Sequence, residues 1–174
     1  HLTIKQEDVT LTGWAMEARV YAEDPLRGFL PSIGRLTRYR EPTGLDGIRC
    51  DSGVVEGSEI SMFYDPMISK LCSYGADRNE AAARLARALD AYEVRGLHHN
   101  MAFLTDVVLA ERFLSGALTT NYIAEEYPDG FGGVVASDEI MRRLIAVASV
   151  AEYQMSVRAT SISGQLEGQE AEPD

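Results

Sequence analysis

The stretch Trp14-Ala15-Met16-Glu17-Ala18-Arg19-Val20-Tyr21-Ala22-Glu23 decides the fold. Trp14, Met16, Ala18, Val20 and Ala22 fall on one side of an extended chain. Ala15, Glu17, Arg19, Tyr21 and Glu23 fall on the other. A period of two predicts a strand with one packed and one polar face. Asp24-Pro25 ends it, because proline fixes φ and brings no N–H.

Downstream, residues 26–31 read as a loop, with Gly28 supplying backbone freedom. A short strand follows over residues 35–40, and Glu41-Pro42-Thr43-Gly44 reads as a turn. Residues 47–55 and 67–74 are two further strands, the second with Met67, Ile68, Leu71 and Cys72 apolar. Strands this short and this close together predict antiparallel pairing.

The pattern then changes. Asp77 is positioned as a helix N-cap, and Glu80 completes a capping-box-like pair. Leu85, Ala88, Leu89 and Tyr92 share one helical face, and Gly96 closes that helix. Asn100 caps a second helix, with Leu104, Val107, Val108 and Phe113 inward and Gly116 at its end. A helical piece at residues 122–126 precedes the turn Pro128-Asp129-Gly130. Ser137 then caps the longest helix, with Asp138 and Glu139 at its positive end and a stripe of Ile140, Leu144, Val147, Ala148, Ala151 and Met155. Residues 161–174 have no apolar periodicity and read as a flexible or truncated tail. The whole is an α+β domain: an antiparallel sheet of short strands followed by packed helices, plus a C-terminal linking helix.

Composition narrows the function. With 174 residues the chain is long enough for a real core. A formal net charge of -11 repels phosphate backbones and argues against nucleic acid as a partner. The apolar runs are too short and too interrupted by charge to span a bilayer. Cys50 and Cys72 make neither a disulfide framework nor a metal-ligand spacing, and two isolated thiols suit a reducing compartment. The pair His98-His99 lacks further ligands at matching spacing, so no metal site is expected. There is no phosphate-binding Gly-x-x-x-x-Gly-Lys loop and no nucleophile elbow. The first residues carry neither an initiator Met nor a signal pattern, and read as a cut inside a longer chain.

Four ordered motifs carry a family resemblance. Residues 17–25 read Glu-Ala-Arg-Val-Tyr-Ala-Glu-Asp-Pro, followed by Phe29-Leu30-Pro31-Ser32-Ile33-Gly34. Then come Gly47-Ile48-Arg49-Cys50-Asp51-Ser52 and Tyr64-Asp65-Pro66-Met67-Ile68-Ser69-Lys70-Leu71. From about Gly13 to Tyr122 the chain resembles the C-terminal subdomain of biotin carboxylases. Val94-Arg95-Gly96-Leu97-His98-His99-Asn100 and Tyr127-Pro128-Asp129-Gly130-Phe131 resemble the α subunits of propionyl-CoA carboxylases within that group.

The resemblance implies a division into residues 1–130, the biotin carboxylase C-terminal subdomain, and residues 131–174, the start of a linker toward the β-subunit-contacting and biotin carrier domains. It implies a part of an ATP-dependent ligase in which ATP and bicarbonate form carboxyphosphate, which then carboxylates biotin for transfer to propionyl-CoA. ATP, magnesium and bicarbonate would be bound mainly outside this chain, so the fragment alone is expected to be inactive. The expected partners are the carboxyltransferase β subunit and the biotin carrier domain of the same subunit, in a hetero-oligomer. The expected location is the bacterial cytoplasm or the mitochondrial matrix. Another acyl-CoA carboxylase, a related ATP-grasp ligase, or an assembly module alone are the alternative readings.

For single residues, Arg49 matches the family's biotin-facing arginine, placed to stabilise the biotin enolate. Arginine suits the task because it stays charged and offers a rigid fork of donors. The alternative is a surface strand arginine paired with Asp46 or Asp51. Asp65 is expected to support the biotin site by orienting Arg49; the alternative is a plain Asp-Pro turn. Lys70 is a substrate contact or a solvated strand lysine. Glu17, Arg19 and Glu23 read as a cross-strand ion-pair ladder rather than metal or phosphate ligands. Residues 74–78 resemble part of a dimer surface in stand-alone biotin carboxylases, against simple strand-end packing. The long C-terminal helix faces either its own core or a partner.

Overall fold

The computed structural model describes residues 2–161. The chain divides into two compact units, His1–Val134 and Val135–Asp174. In the first, the elements run β1 (Trp14–Tyr21), β2 (Glu23–Asp24), β3 (Leu30–Pro31), β4 (Gly34–Arg35), β5 (Arg38–Arg40), β6 (Ile48–Ser52), β7 (Glu59–Ile60), β8 (Met67–Gly75), α1 (Arg78–Ala91), β9 (Glu93–Arg95), α2 (Met101–Leu109), α3 (Glu111–Ser115) and α4 (Tyr122–Glu126). The second unit contains one described element, α5 (Asp138–Thr160).

The main sheet has the order β1-β8-β6, and every strand pair is antiparallel. The alternation in β1 holds: Ala18, Val20 and the following Ala22 are buried, while Glu17 and Arg19 are exposed. Leu71 pairs with Ala18, so the inward set on β8 is Ser69, Leu71 and Ser73. Helix α1 covers this inner face with Ala81, Ala82, Leu85, Ala88 and Leu89, all buried. The Ser73 hydroxyl donates to the Ala81 carbonyl at 2.8 Å. A Cβ on Gly75 would lie 2.6 Å from the Ala81 nitrogen, so only glycine lets the helix begin this close to the strand end.

Asp77 caps α1, its carboxylate accepting from the Glu80 N–H at 2.9 Å. Glu80 reaches back one residue further than a capping box requires, accepting from the Ala76 N–H at 2.6 Å. Arg78 clamps the sheet end. Its guanidinium lies 5.7 Å from the Trp14 ring and 4.9 Å from the Phe113 ring, and Nε and Nη2 both donate to the Phe113 carbonyl.

Several expectations are corrected. The first helix ends at Ala91, not at Gly96, because residues 93–95 pair as β9 with β5. The strand expected at 35–40 is two short strands, β4 and β5, with different partners, and the loop at 26–31 ends in β3. The strand expected at 47–55 is the shorter β6. The second helix breaks at Ala110, whose extended backbone separates α2 from α3. The tail expected at 161–174 lies outside the described residues from position 162 onward.

Asn100 also does something other than capping. Its side chain makes no cap bond. Oδ1 accepts from the Tyr21 N–H at 2.9 Å, and Nδ2 donates to the Arg19 carbonyl at 3.1 Å. This buried amide stands in for a neighbouring strand along the free edge of β1, giving its backbone partners that the sheet does not supply. Asn100→Ala is expected to lose both bonds and strand two backbone groups, at about 2–4 kcal/mol. Urea unfolding of the chain and its variant measures this; a change below about 0.5 kcal/mol would show that water replaces the amide without cost.

Candidate functional site

The alternation that turns Ala18 and Leu71 inward turns a charged set outward. Across β1, β8 and β6, one row holds Glu17, Cys72 and Arg49, and the next holds Arg19, Lys70 and Asp51. The Arg49 side chain is 72% exposed. Its Nε donates to Asp51 Oδ2 at 3.1 Å, and its Nη2 to Cys72 Sγ at 3.7 Å. The charge of Asp51, and then Cys72, holds the Arg49 guanidinium above the usual arginine value. Arg19 Nε donates to Glu17 Oε1 at 2.9 Å, so this ion pair runs along β1 rather than across strands.

Beside Arg49 lies an open cavity of about 490 Å³, lined by Ala15, Met16, Glu17, Arg49, Cys72 and Tyr74 among others. Its walls are largely apolar, with the guanidinium and the Glu17 carboxylate at its margin. Gly47, with φ +70°, opens β6 here; a Cβ at this position would meet the Tyr74 carbonyl at 2.6 Å. The glycine therefore lets Arg49 enter the sheet two residues past a sharp backbone turn.

Asp65 is not brought to Arg49. It precedes β8 at the opposite end of the strand, and Met67 is already about 17 Å along the strand from Cys72, the neighbour of Arg49. Its charge acts instead on Glu23, whose carboxyl is pushed above the ordinary range, first by burial and then by Asp65. The partner of Arg49 is Asp51, which two-residue spacing on a strand puts on the same face. The Cys72 contact depends on the β6–β8 register and has no local signal in the sequence.

On the inner face, Tyr39 and Tyr92 meet hydroxyl to hydroxyl, and Tyr39 also meets Ser52, which donates to Glu41. Tyr92 bonds Ser69 at 2.8 Å, and Cys50 lies 3.6 Å from it. Burial holds the Tyr92 phenol well above its usual value, which keeps its hydroxyl protonated. Among the described residues no three His, Cys, Asp or Glu side chains gather as a metal site. Also among the described residues, no helix is long and apolar enough to cross a membrane.

Comparison with known proteins identifies the relatives of this chain. Residues 17–125 match the model of the biotin carboxylase C-terminal domain. The propionyl-CoA carboxylase alpha chain of Ruegeria pomeroyi is 47% identical over 97% of this chain and 28% of its own length. The mitochondrial propionyl-CoA carboxylase alpha chain of Homo sapiens is 50% identical over 89% of this chain and 21% of its own. The chain thus spans about a quarter of the length of these relatives. The biotin carboxylase domain of the Hydrogenobacter thermophilus 2-oxoglutarate carboxylase, solved with MgADP and bicarbonate, superposes with a TM-score of 0.71 at 36% identity, covering 78% of this chain and 29% of that one.

The environment of Glu23 gives a sign that can be checked. Its folded pKa is raised, so the fold favours the protonated carboxyl and loses stability as pH climbs through the range just above 4.5. Glu23→Gln is expected to raise the urea midpoint at pH 7 and leave it unchanged at pH 3. Equal effects at both pH values would mean that Glu23 ionisation carries no penalty.

Proposed function

Because the chain belongs to the biotin carboxylase C-terminal domain family, we propose that it forms one wall of a biotin carboxylation site in the α subunit of a propionyl-CoA-type carboxylase. The observation that carries this reading is the outward placement of Arg49 beside an apolar cavity, on the side of the sheet opposite α1. Relatives of both bacterial and mitochondrial origin suit the bacterial cytoplasm or mitochondrial matrix as its setting.

Biotin fits these residues: its ureido oxygen calls for a fixed cationic donor, and its ring for an apolar wall. When bound, it supplies a ureido nitrogen that accepts the carboxyl group. Arg49 would sit at the ureido oxygen and hold negative charge there. A preorganised donor of this kind is worth about 3–4 kcal/mol of barrier. Ala15 and Tyr74 would exclude water from one side of the ring. On this reading ATP, magnesium and bicarbonate would be held mainly by parts of the subunit outside this chain. On this reading the acyl-CoA enters neither the wall nor the cavity, and its identity is read by the carboxyltransferase.

A second observation favours an additional assembly role. Within its own unit, α5 exposes Ile140, Leu144, Val147, Val150 and Met155, with no second described element to cover them. Such a helix suits docking to the carboxyltransferase β subunit. Residues 131–174 would then begin the linker toward that subunit and toward the biotin carrier domain, with Phe131 still packed in the first unit.

Two measurements on the full-length subunit separate the roles. Arg49→Ala is expected to lower carboxylation of free biotin by about 10²–10³-fold without changing the urea midpoint; unchanged turnover would remove Arg49 from the site. Leu144→Asp or Val147→Asp is expected to weaken association with the β subunit by at least roughly tenfold while biotin carboxylation persists. Wild-type assembly in both variants would sink the docking role.

A further inference from the structure

The two edges of the Arg49 fork are used differently. A guanidinium has five N–H groups: one on Nε and two on each terminal nitrogen. The side edge, formed by Nε and Nη2, is engaged by Asp51 at 3.1 Å and Cys72 at 3.7 Å. The end edge, formed by Nη1 and the other N–H of Nη2, has no acceptor among the described residues. On the same face, Arg19 and Lys70 stand in the row beside Asp51. Glu17 pairs with Arg19, and no ion pair to Lys70 is found among the described residues. Asp51 is therefore the carboxylate that matches Arg49 in a field of three cations. Removing it leaves the guanidinium with a weak thiol acceptor and two like charges nearby.

We propose that Asp51 is a positioning residue for biotin carboxylation, holding the side edge of Arg49 so that its end edge presents two N–H groups to the ureido oxygen. The proposal rests on the reading of Arg49 as the biotin-facing arginine. Asp51 itself touches no substrate. Its reach suits the work: the side chain is short, and its backbone lies in the regular β6–β8 ladder, so the carboxylate is fixed within the sheet. The pair is exposed in this chain, and exposed ion pairs contribute little to stability. Its effect is therefore expected in catalysis and not in folding.

The test uses the full-length subunit with free biotin, ATP and bicarbonate. Asp51→Asn is expected to lower kcat roughly 10- to 100-fold with KM for biotin within about twofold. Asp51→Glu should recover part of that loss. In an Arg49→Lys background, which lacks the Nε donor, Asp51→Asn should add less than about a threefold further loss, since the two groups act as one. A crystal structure of the Asp51→Asn subunit supplies the second readout: the Arg49 guanidinium should leave its single rotamer. Normal kcat in Asp51→Asn, alongside an inactive Arg49→Ala, would overturn the positioning role alone. An unmoved Arg49 rotamer would do the same, as would losses that multiply fully in the double variant. Normal turnover in Arg49→Ala would instead overturn the site reading on which the proposal stands.

Discussion

The seat of α1 on the inner face of β8 sets the rest of the first unit. It is built from small residues on both sides: Ser73 and Gly75 on the strand, Ala81 and Ala82 on the helix. Small side chains allow backbone-scale approach, and the Ser73 hydroxyl converts that approach into a hydrogen bond. Once this face of β8 is committed to the helix, the pleat leaves no choice for its neighbours. Leu71 inward requires Cys72 outward, and the register then carries Glu17 and Arg49 outward with it. A one-residue slip of β6 would bury the Arg49 guanidinium against α1 and expose Cys50. The chemistry of the outer face is thus fixed by packing on the opposite one.

The edges of this arrangement are handled by side chains. Asn100 partners the backbone of β1 along the edge that faces away from β8, and Arg78 gathers Trp14 and Phe113 at the end of the same strand. Both residues act across long sequence separations. Both tie helices to the sheet through polar contacts satisfied by backbone carbonyls and amides, and so place α2 and α3 without enlarging a modest core.

The legible parts of the sequence were those with a local period or a cap. The alternation over residues 14–22 marks β1, Asp77 marks the start of α1, and Ser137 marks the start of α5. Strands of two or three residues have no period to display, which is why β7 and β9 leave no signal in the sequence and residues 93–95 read as part of a helix. Asn100 stands at a helix start and carries a capping side chain, yet its amide is drawn to a strand 79 residues away in sequence. At the candidate site, Arg49 was readable from its motif. Its neighbours divide by range. Asp51 follows from spacing alone, whereas Cys72 requires the sheet register. The Asp65-Pro66 motif reads as a support for Arg49, but motif order carries no information on which end of a strand a loop occupies. The nine-residue length of β8 separates the two.

The Arg78 clamp has an optical consequence. Trp14 is the only tryptophan in the chain, and it stands half-exposed under that guanidinium rather than in the core. Its emission therefore watches one corner of the molecule, where the first strand, the first helix and α3 converge. A cation close to an indole shifts its excited state, so opening of this corner changes colour and intensity while the ellipticity of the helices stays constant. The chain thus carries a built-in reporter of local fraying, and a fluorescence transition that runs ahead of the circular dichroism would identify this corner as the first part to come loose.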